Sequence, residues 1–290
     1  MSMLIASFPE TEDIGRKVAK MLKVGYTKIM TEDFPDSEFH LELKKNPKNK
    51  IVVIVSSMTK DPDEKLIETI LAGGIAKDYG AKKVILVATY MPYMRQDKHF
   101  EKYDSLSSKH ILKLFGNFDK IIAIDPHLHR IKKMRQAYGK AESITTNWLV
   151  ADYIKKRFGK EFSIVGPDAE STQWSSKVAR MLGSDVVILK KTRFSSRKIK
   201  QADIKGRLKE NVIIIDDIIS TGKTIIGAIK LARKHGAKRI IVIGIHGLLI
   251  GKSAEQIRKY AELITSNTIE NKYAKIDVSP AIAKALKRFN

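Results

Sequence analysis

Short runs of consecutive apolar residues, rich in isoleucine and valine, recur along the chain. Ile51–Val55, Val84–Ala88, Lys120–Ile124, Phe162–Val165, Val186–Leu189, Val212–Ile215 and Ile240–Ile245 are the clearest. Their apolarity is continuous rather than alternating, which predicts strands buried on both faces, as in a parallel sheet covered by helices. Between them, Lys65–Tyr79 and Ile225–His235 carry apolar residues at helical spacing and predict the covering helices. The order is that of an α/β fold.

The pattern also repeats. Asp78–Tyr90 reads DYGAKKVILVATY, and Lys234–His246 reads KHGAKRIIVIGIH. In each copy a helix ends at a glycine, Gly80 or Gly236, where a left-handed backbone costs little, and a strand follows. Two similar α/β domains in tandem account for this, each a mostly parallel sheet flanked by helices. The boundary is placed near Ala141–Thr146, giving domains 1–145 and 146–278. Ser279–Asn290 is expected to be helical.

Charge narrows the partners. The chain carries 54 Lys+Arg against 32 Asp+Glu, a net +22. Such an excess attracts nucleotides, phosphorylated sugars, nucleic acid or anionic membranes. The basic residues are scattered, with short clusters at Lys44–Lys50, Lys155–Arg157 and Lys190–Lys200. That distribution suits a lysine-rich solvated surface, and nucleic acid is not expected as a partner. With no cysteine, a disulfide framework, a thiolate metal site and a cysteine nucleophile are excluded. The longest nearly apolar run, Ile240–Ile250, is too short to span a bilayer. Without a secretion signal in view, the expectation is a cytoplasmic protein with no membrane partner.

The segment Val212–Thr224, VIIIDDIISTGKT, concentrates the chemistry. A buried strand, Val212–Ile215, is followed by Asp216 and Asp217. Ser220-Thr221-Gly222-Lys223-Thr224 come next, with a helix expected from about Ile225. In open α/β sheets ligands bind at this end of the strands. Small residues let the backbone wrap an anion at a helix N-terminus, and the hydroxyls of Ser220, Thr221 and Thr224 add donors. The paired carboxylates would repel a phosphate, so vicinal ribose hydroxyls, or a metal ion, are their natural partners. GKT resembles the end of a Walker A loop, but that pattern needs glycine at position 217, where this chain has aspartate. A plain strand-to-helix turn with a Ser or Thr cap is the competing reading.

Other polar clusters also follow predicted strands. Tyr93-Met94-Arg95-Gln96-Asp97 comes after Val84–Ala88; Arg95 can fork onto phosphate oxygens and Gln96 can hydrogen-bond a base or sugar. Asp125-Pro126-His127 comes after Lys120–Ile124, and Gly166-Pro167-Asp168 after Phe162–Val165. Lys191-Thr192-Arg193 comes after Val186–Leu189 and leads into the basic, aperiodic stretch Phe194–Arg207, the profile of an active-site lid. Phe34-Pro35-Asp36-Ser37-Glu38 reads locally as a turn with proline at its second position.

The Val212–Thr224 loop resembles the ribose-phosphate fingerprint of the type I phosphoribosyltransferase superfamily. Within it, nearly the whole chain resembles the ribose-phosphate pyrophosphokinase family, especially its archaeal forms, which share the tandem plan. The resemblance implies transfer of a diphosphoryl group from ATP to ribose 5-phosphate with Mg²⁺. It implies that Phe34, Asp36, Ser37, Glu38, Arg95, Gln96, Asp97 and His127 bind ATP, in a pocket shared with a neighbouring subunit, hence at least a dimer. It places Asp216, Asp217, Ser220, Thr221, Gly222, Lys223 and Thr224 on ribose 5-phosphate, and Asp125, His127 and Asp168 at the metals. Lys191 and Arg193 become the catalytic pair, and the C-terminal tail packs on the first domain. The chain departs from the family at Ser37 and Lys223, where glycine is usual, and at Glu101–Ser105, which replaces a loop containing glycine, glutamate and proline. Two other readings share parts of this pattern: a phosphoribosyltransferase, which needs only the 212–224 loop, and a non-catalytic regulatory relative.

Overall fold

The computed structural model describes residues 2–97, 99, 101–128, 134–159, 161–168, 171–184, 186–191, 202–204 and 208–290. The chain forms two compact units: Met1–Thr145 with Thr268–Glu270 and Asp277–Asn290, and Thr146–Asn267 with Asn271–Ile276.

In the first unit the strands are β1 (Met3–Ser7), β2 (Gly25–Asp33), β3 (Phe39–Leu43), β4 (Ile51–Ser57), β5 (Lys83–Tyr90), β6 (Lys120–Ile124) and β7 (Ala141–Ile144). Its helices are α1 (Glu12–Leu22), α2 (Pro62–Asp78), α3 (Ser107–Leu114) and α4 (Met134–Ala137). The sheet order is β3-β2-β1-β4-β5-β6-β7. All pairs are parallel except β2–β3.

The second unit contains α5 (Asn147–Phe158), β8 (Ser163–Gly166), α6 (Thr172–Leu182), β9 (Val186–Lys191), β10 (Ala202–Ile204), β11 (Asn211–Ile219), α7 (Lys223–Lys234), β12 (Arg239–Gly247), α8 (Ser253–Arg258), β13 (Glu262–Ser266) and β14 (Ala274–Ile276). Its sheet order, β10-β9-β8-β11-β12-β13-β14, repeats that of the first. The antiparallel edge recurs as well, at β9–β10. The repeated glycines fall at matching points before β5 and β12, with φ of 81° and 92°.

Both sheets are covered on both faces, which explains the unbroken apolar runs. Along β4, Val52 and Ile54 enter one core while Ile51, Val53 and Val55 enter the other. Along β11, Val212 and Ile214 face one core, and Ile213 and Ile215 the other. The tail forms α9 (Ser279–Leu286) and belongs to the first unit: Val278, Ile282, Ala283 and Leu286 join the core containing Ile14 and Val18 of α1.

Two expectations need correction. β11 does not stop at Ile215 but runs to Ile219, because Ile218 and Ile219 stay paired with His246 and Gly247 of β12. Asp216 and Asp217 therefore sit inside the strand rather than beyond it. The stretch 194–207 is not uniformly irregular, since Ala202–Ile204 forms β10 antiparallel to β9, with Ala202 opposite Lys191. Among the described residues no helix is long and apolar enough to cross a membrane.

Candidate functional site

The predicted polar segments of the second unit gather at the carboxyl edge of three adjacent strands, β9, β8 and β11. Val165 of β8 lies opposite Val187 of β9 on one side and Ile214 of β11 on the other. The chain just beyond this rank carries Asp168, and β11 carries Asp216 and Asp217. Lys191 ends β9; its side chain, and all of Arg193, lie outside the described residues.

Asp216 and Asp217 are 8% and 2% exposed. The Asp217 N–H donates to Asp216 Oδ1 at 3.0 Å, and the Ile218 N–H to Asp217 Oδ1 at 2.9 Å. Burial, then the neighbouring charges of Asp217 and Asp168, push the Asp216 carboxyl well above its ordinary range. Asp168 is oriented by the start of α6: its Oδ1 accepts the Ser171 N–H at 2.9 Å, while its own N–H donates to Ser171 Oγ at 3.1 Å. This reciprocal pair is the logic of a capping box.

After β11, Ser220 and Thr221 lead to Gly222, which caps α7 with φ 75°. Glycine is required twice over here. The left-handed backbone disfavours a Cβ, and an added Cβ would stand 3.3 Å from both Ser253 Cβ and Ile257 Cδ1. The first turn of α7 has no acidic residue, and its N-cap glycine makes no side-chain cap bond. Its N–H groups and dipole are therefore left for an anion. Thr221 and Lys223 are exposed, and Ser220 and Thr224 are half-buried.

In the first unit, Arg95, Gln96 and Asp97 follow β5, and Asp125 and His127 follow the adjacent β6. Arg95 and Gln96 are exposed, Asp97 is 6% exposed, and His127 is half-buried. Asp125 is 6% exposed, with a strained φ of 34° held by its N–H bond to the Ile144 carbonyl at 2.9 Å. Strain of this kind persists only where the surroundings over-determine it.

The Phe34–Glu38 segment is the β2–β3 hairpin turn. The Ser37 N–H bonds the Phe34 carbonyl at 3.0 Å, and the Phe34 N–H bonds the Glu38 carbonyl at 2.7 Å. Residues 34–38 are all exposed. β1 and β4 separate this hairpin from β5, three strand spacings or about 14 Å across the sheet. Within one unit, then, the structure brings the β5 and β6 residues together but leaves the Phe34 turn apart. Ser37 has φ 70°, a conformation that costs a non-glycine residue about 1 kcal/mol. Ser37→Gly is therefore expected to raise the melting temperature by roughly 2–4 °C; a lower melting temperature in a thermal scan would contradict this.

No group of three His, Asp or Glu side chains among the described residues is close enough to hold a metal alone. Sequence reasoning missed the Leu249–Ser253 segment, which packs on the Ser220–Thr224 loop although it is about thirty residues away in the chain. The one signal for it was the apolar run Ile240–Ile250, of which only Ile240–Ile245 was read as strand.

Comparison with known proteins agrees with the tandem plan. Residues 3–119 match the N-terminal domain of ribose phosphate pyrophosphokinase, and residues 140–282 match the phosphoribosyl transferase domain. The ribose-phosphate pyrophosphokinase of Pyrococcus furiosus is 32% identical over 91% of this chain and 94% of its own length. That of Methanopyrus kandleri is 28% identical over 99% of this chain and 100% of its own. The crystal structure of phosphoribosylpyrophosphate synthetase from Mycobacterium smegmatis shares the fold, with a TM-score of 0.87 at 22% identity, covering 100% of this chain and 99% of that one. Two units of like topology, each with its polar loops at the carboxyl edge, thus coincide with end-to-end sequence identity, and the chain belongs to the ribose-phosphate pyrophosphokinase family.

Proposed function

We propose that this chain transfers the β,γ-diphosphoryl group of ATP to the anomeric hydroxyl of ribose 5-phosphate, giving phosphoribosyl pyrophosphate and AMP. The observation that carries this reading is the Ser220–Thr224 loop at an uncapped, acid-free helix N-terminus, with Asp216 and Asp217 buried beside it. The 5-phosphate is held by the N–H groups and hydroxyls of Ser220, Thr221, Gly222 and Thr224, with Lys223 adding a cation. Asp216 and Asp217 accept from the ribose hydroxyls. ATP is held by Arg95, Gln96, Asp97 and His127, with the adenine against Phe34 and the polar edge of Asp36, Ser37 and Glu38.

The anomeric oxygen forms a bond to the β-phosphorus as the bond from that phosphorus to the α,β-bridging oxygen breaks. AMP departs with the bridging oxygen, and the hydroxyl proton is lost. Lys191 and Arg193 stabilise charge on the moving diphosphoryl oxygens. Such chemistry depends on positioning and charge neutralisation.

Mg²⁺ fits the donor set without a closed cage. It prefers oxygen, keeps several waters and takes one or two carboxylates together with substrate phosphates. Asp168 and Asp125 offer such carboxylates, whereas the imidazole of His127 is a less natural ligand and serves the nucleotide. The mutual repulsion of Asp216, Asp217 and Asp168 favours a cation nearby. When bound, the ion would neutralise phosphate charge.

The separation of the Phe34 turn from Arg95 and His127 in the sheet supports an assembly of at least two subunits, in which one lends its hairpin to the nucleotide pocket of another. Lys223, exposed at the first position of α7, adds charge that the loop geometry does not require. Lys223→Gly is expected to change the KM for ribose 5-phosphate by less than about tenfold. Collapse of activity would give this lysine a role of its own.

A further inference from the structure

The phosphate loop is tied to a segment distant in sequence. The Leu249 N–H donates to the Ile219 carbonyl at 2.9 Å, and the Ile250 N–H to the Ser220 carbonyl at 3.1 Å. Leu249 adopts φ 50° where it makes this contact. The chain then turns into α8, whose first residue, Ser253, lies against Gly222.

Ser253 is 2% exposed, and its Oγ has no hydrogen-bond partner among the described residues. It does not cap its helix, since Lys252 holds the N-cap position and no side-chain cap bond is made. A buried hydroxyl without a partner destabilises a fold, and replacing such a group by an apolar one of similar shape is neutral or favourable. Packing alone would be served by alanine. What the hydroxyl adds is a group able both to donate and to accept, held directly behind the residue that sets the loop's turn.

We propose that Ser253 is a positioning residue for the phosphate loop. When an oxyanion draws the N–H groups of the Gly222 turn into line, the Ser253 hydroxyl bonds the shifted loop backbone and holds it in the anion-binding form. Its hydrogen bond is thus made in the liganded state. The inference rests on reading Ser220–Thr224 as the ribose 5-phosphate site.

The test compares wild type, Ser253→Ala and Ser253→Cys. Ribose 5-phosphate affinity is measured by calorimetry, KM and kcat by steady-state assay, and folding by thermal melting. Ser253→Ala is expected to raise the Kd and KM for ribose 5-phosphate by about 5- to 10-fold, the effect of one hydrogen bond. The kcat and the KM for ATP should stay within about twofold of wild type, with a melting temperature equal to wild type or higher. Ser253→Cys should resemble alanine, because a thiol is a weak partner. Unchanged affinity in folded Ser253→Ala would overturn the proposal, as would wild-type affinity in Ser253→Cys, which would assign the role to volume. Failure of wild type to bind ribose 5-phosphate would overturn the site reading, and the inference with it.

Discussion

Lys191→Ala is expected to lower kcat by about 10²–10³, the loss that follows removal of one group stabilising charge in a transition state. The Kd for ribose 5-phosphate should stay close to wild type. Lys191 ends β9, an edge-side neighbour of β8, whereas the phosphate loop follows β11 on the far side of β8. Under the proposed function the lysine serves the transferred group rather than the sugar phosphate. The antiparallel pairing of Ala202 with Lys191 fixes the backbone where the basic segment departs from and returns to the sheet. Alanine keeps that pairing, so the fold is expected to survive. The measurement is a single-turnover rate beside a calorimetric titration. A near-normal rate would remove Lys191 from the chemistry, and a lost titration would place it in the sugar site.

The second large effect is a trade of stability against function at Asp216. The carboxyl is buried and its ionisation is opposed by burial, Asp217 and Asp168, so its folded-state pKa lies above its unfolded value. A carboxyl raised in this way contributes stability that is fully present below the unfolded pKa and is lost as pH rises through the folded pKa. As pH rises above the ordinary carboxyl range, the unliganded protein therefore loses stability at this site. Asp216→Asn keeps the side-chain oxygen that accepts the Asp217 N–H and removes the charge. It is expected to stabilise the unliganded protein at pH 7 by about 1–3 kcal/mol, the scale of desolvating a buried polar group. The difference from wild type should shrink to nothing as pH falls below the ordinary carboxyl range. The same variant should lower kcat/KM for ribose 5-phosphate by roughly 10- to 100-fold, through loss of charged hydrogen bonds to the sugar. Paired thermal scans across pH test the first half; a variant less stable than wild type at pH 7 would contradict it.

These effects show what the sequence made visible and what it hid. β4, β5, β11 and β12 were legible because both their faces are buried, which forces consecutive apolar residues. β2 was not: in GYTKIMTED only Thr27 and Ile29 are buried, and no apolar run marks it. β3, FHLEL, is a short edge strand with one buried leucine. The end of β11 was misjudged because two carboxylates stood where the apolar run stopped. The β12 partners, remote in sequence, keep Asp216–Ile219 extended. The phosphate loop was legible because its donors and acids are contiguous. The closeness of Asp168 to Asp216 needed the pairing of β8 with β11, and Ser253 reaches Gly222 only through the bonds of Leu249 and Ile250. The similarity of the two units was visible in the glycine-marked repeat. The identical strand order, which puts the Phe34 turn and the Lys191 segment at equivalent edges, was not.

The most direct test of the central claim is product analysis after mixing the purified protein with ribose 5-phosphate, ATP and Mg²⁺. Equal amounts of AMP and phosphoribosyl pyrophosphate are expected, with neither formed when ribose 5-phosphate is omitted. Absence of AMP, in a preparation that instead consumes phosphoribosyl pyrophosphate with a free base, would contradict the account and assign the 212–224 loop to a phosphoribosyltransferase.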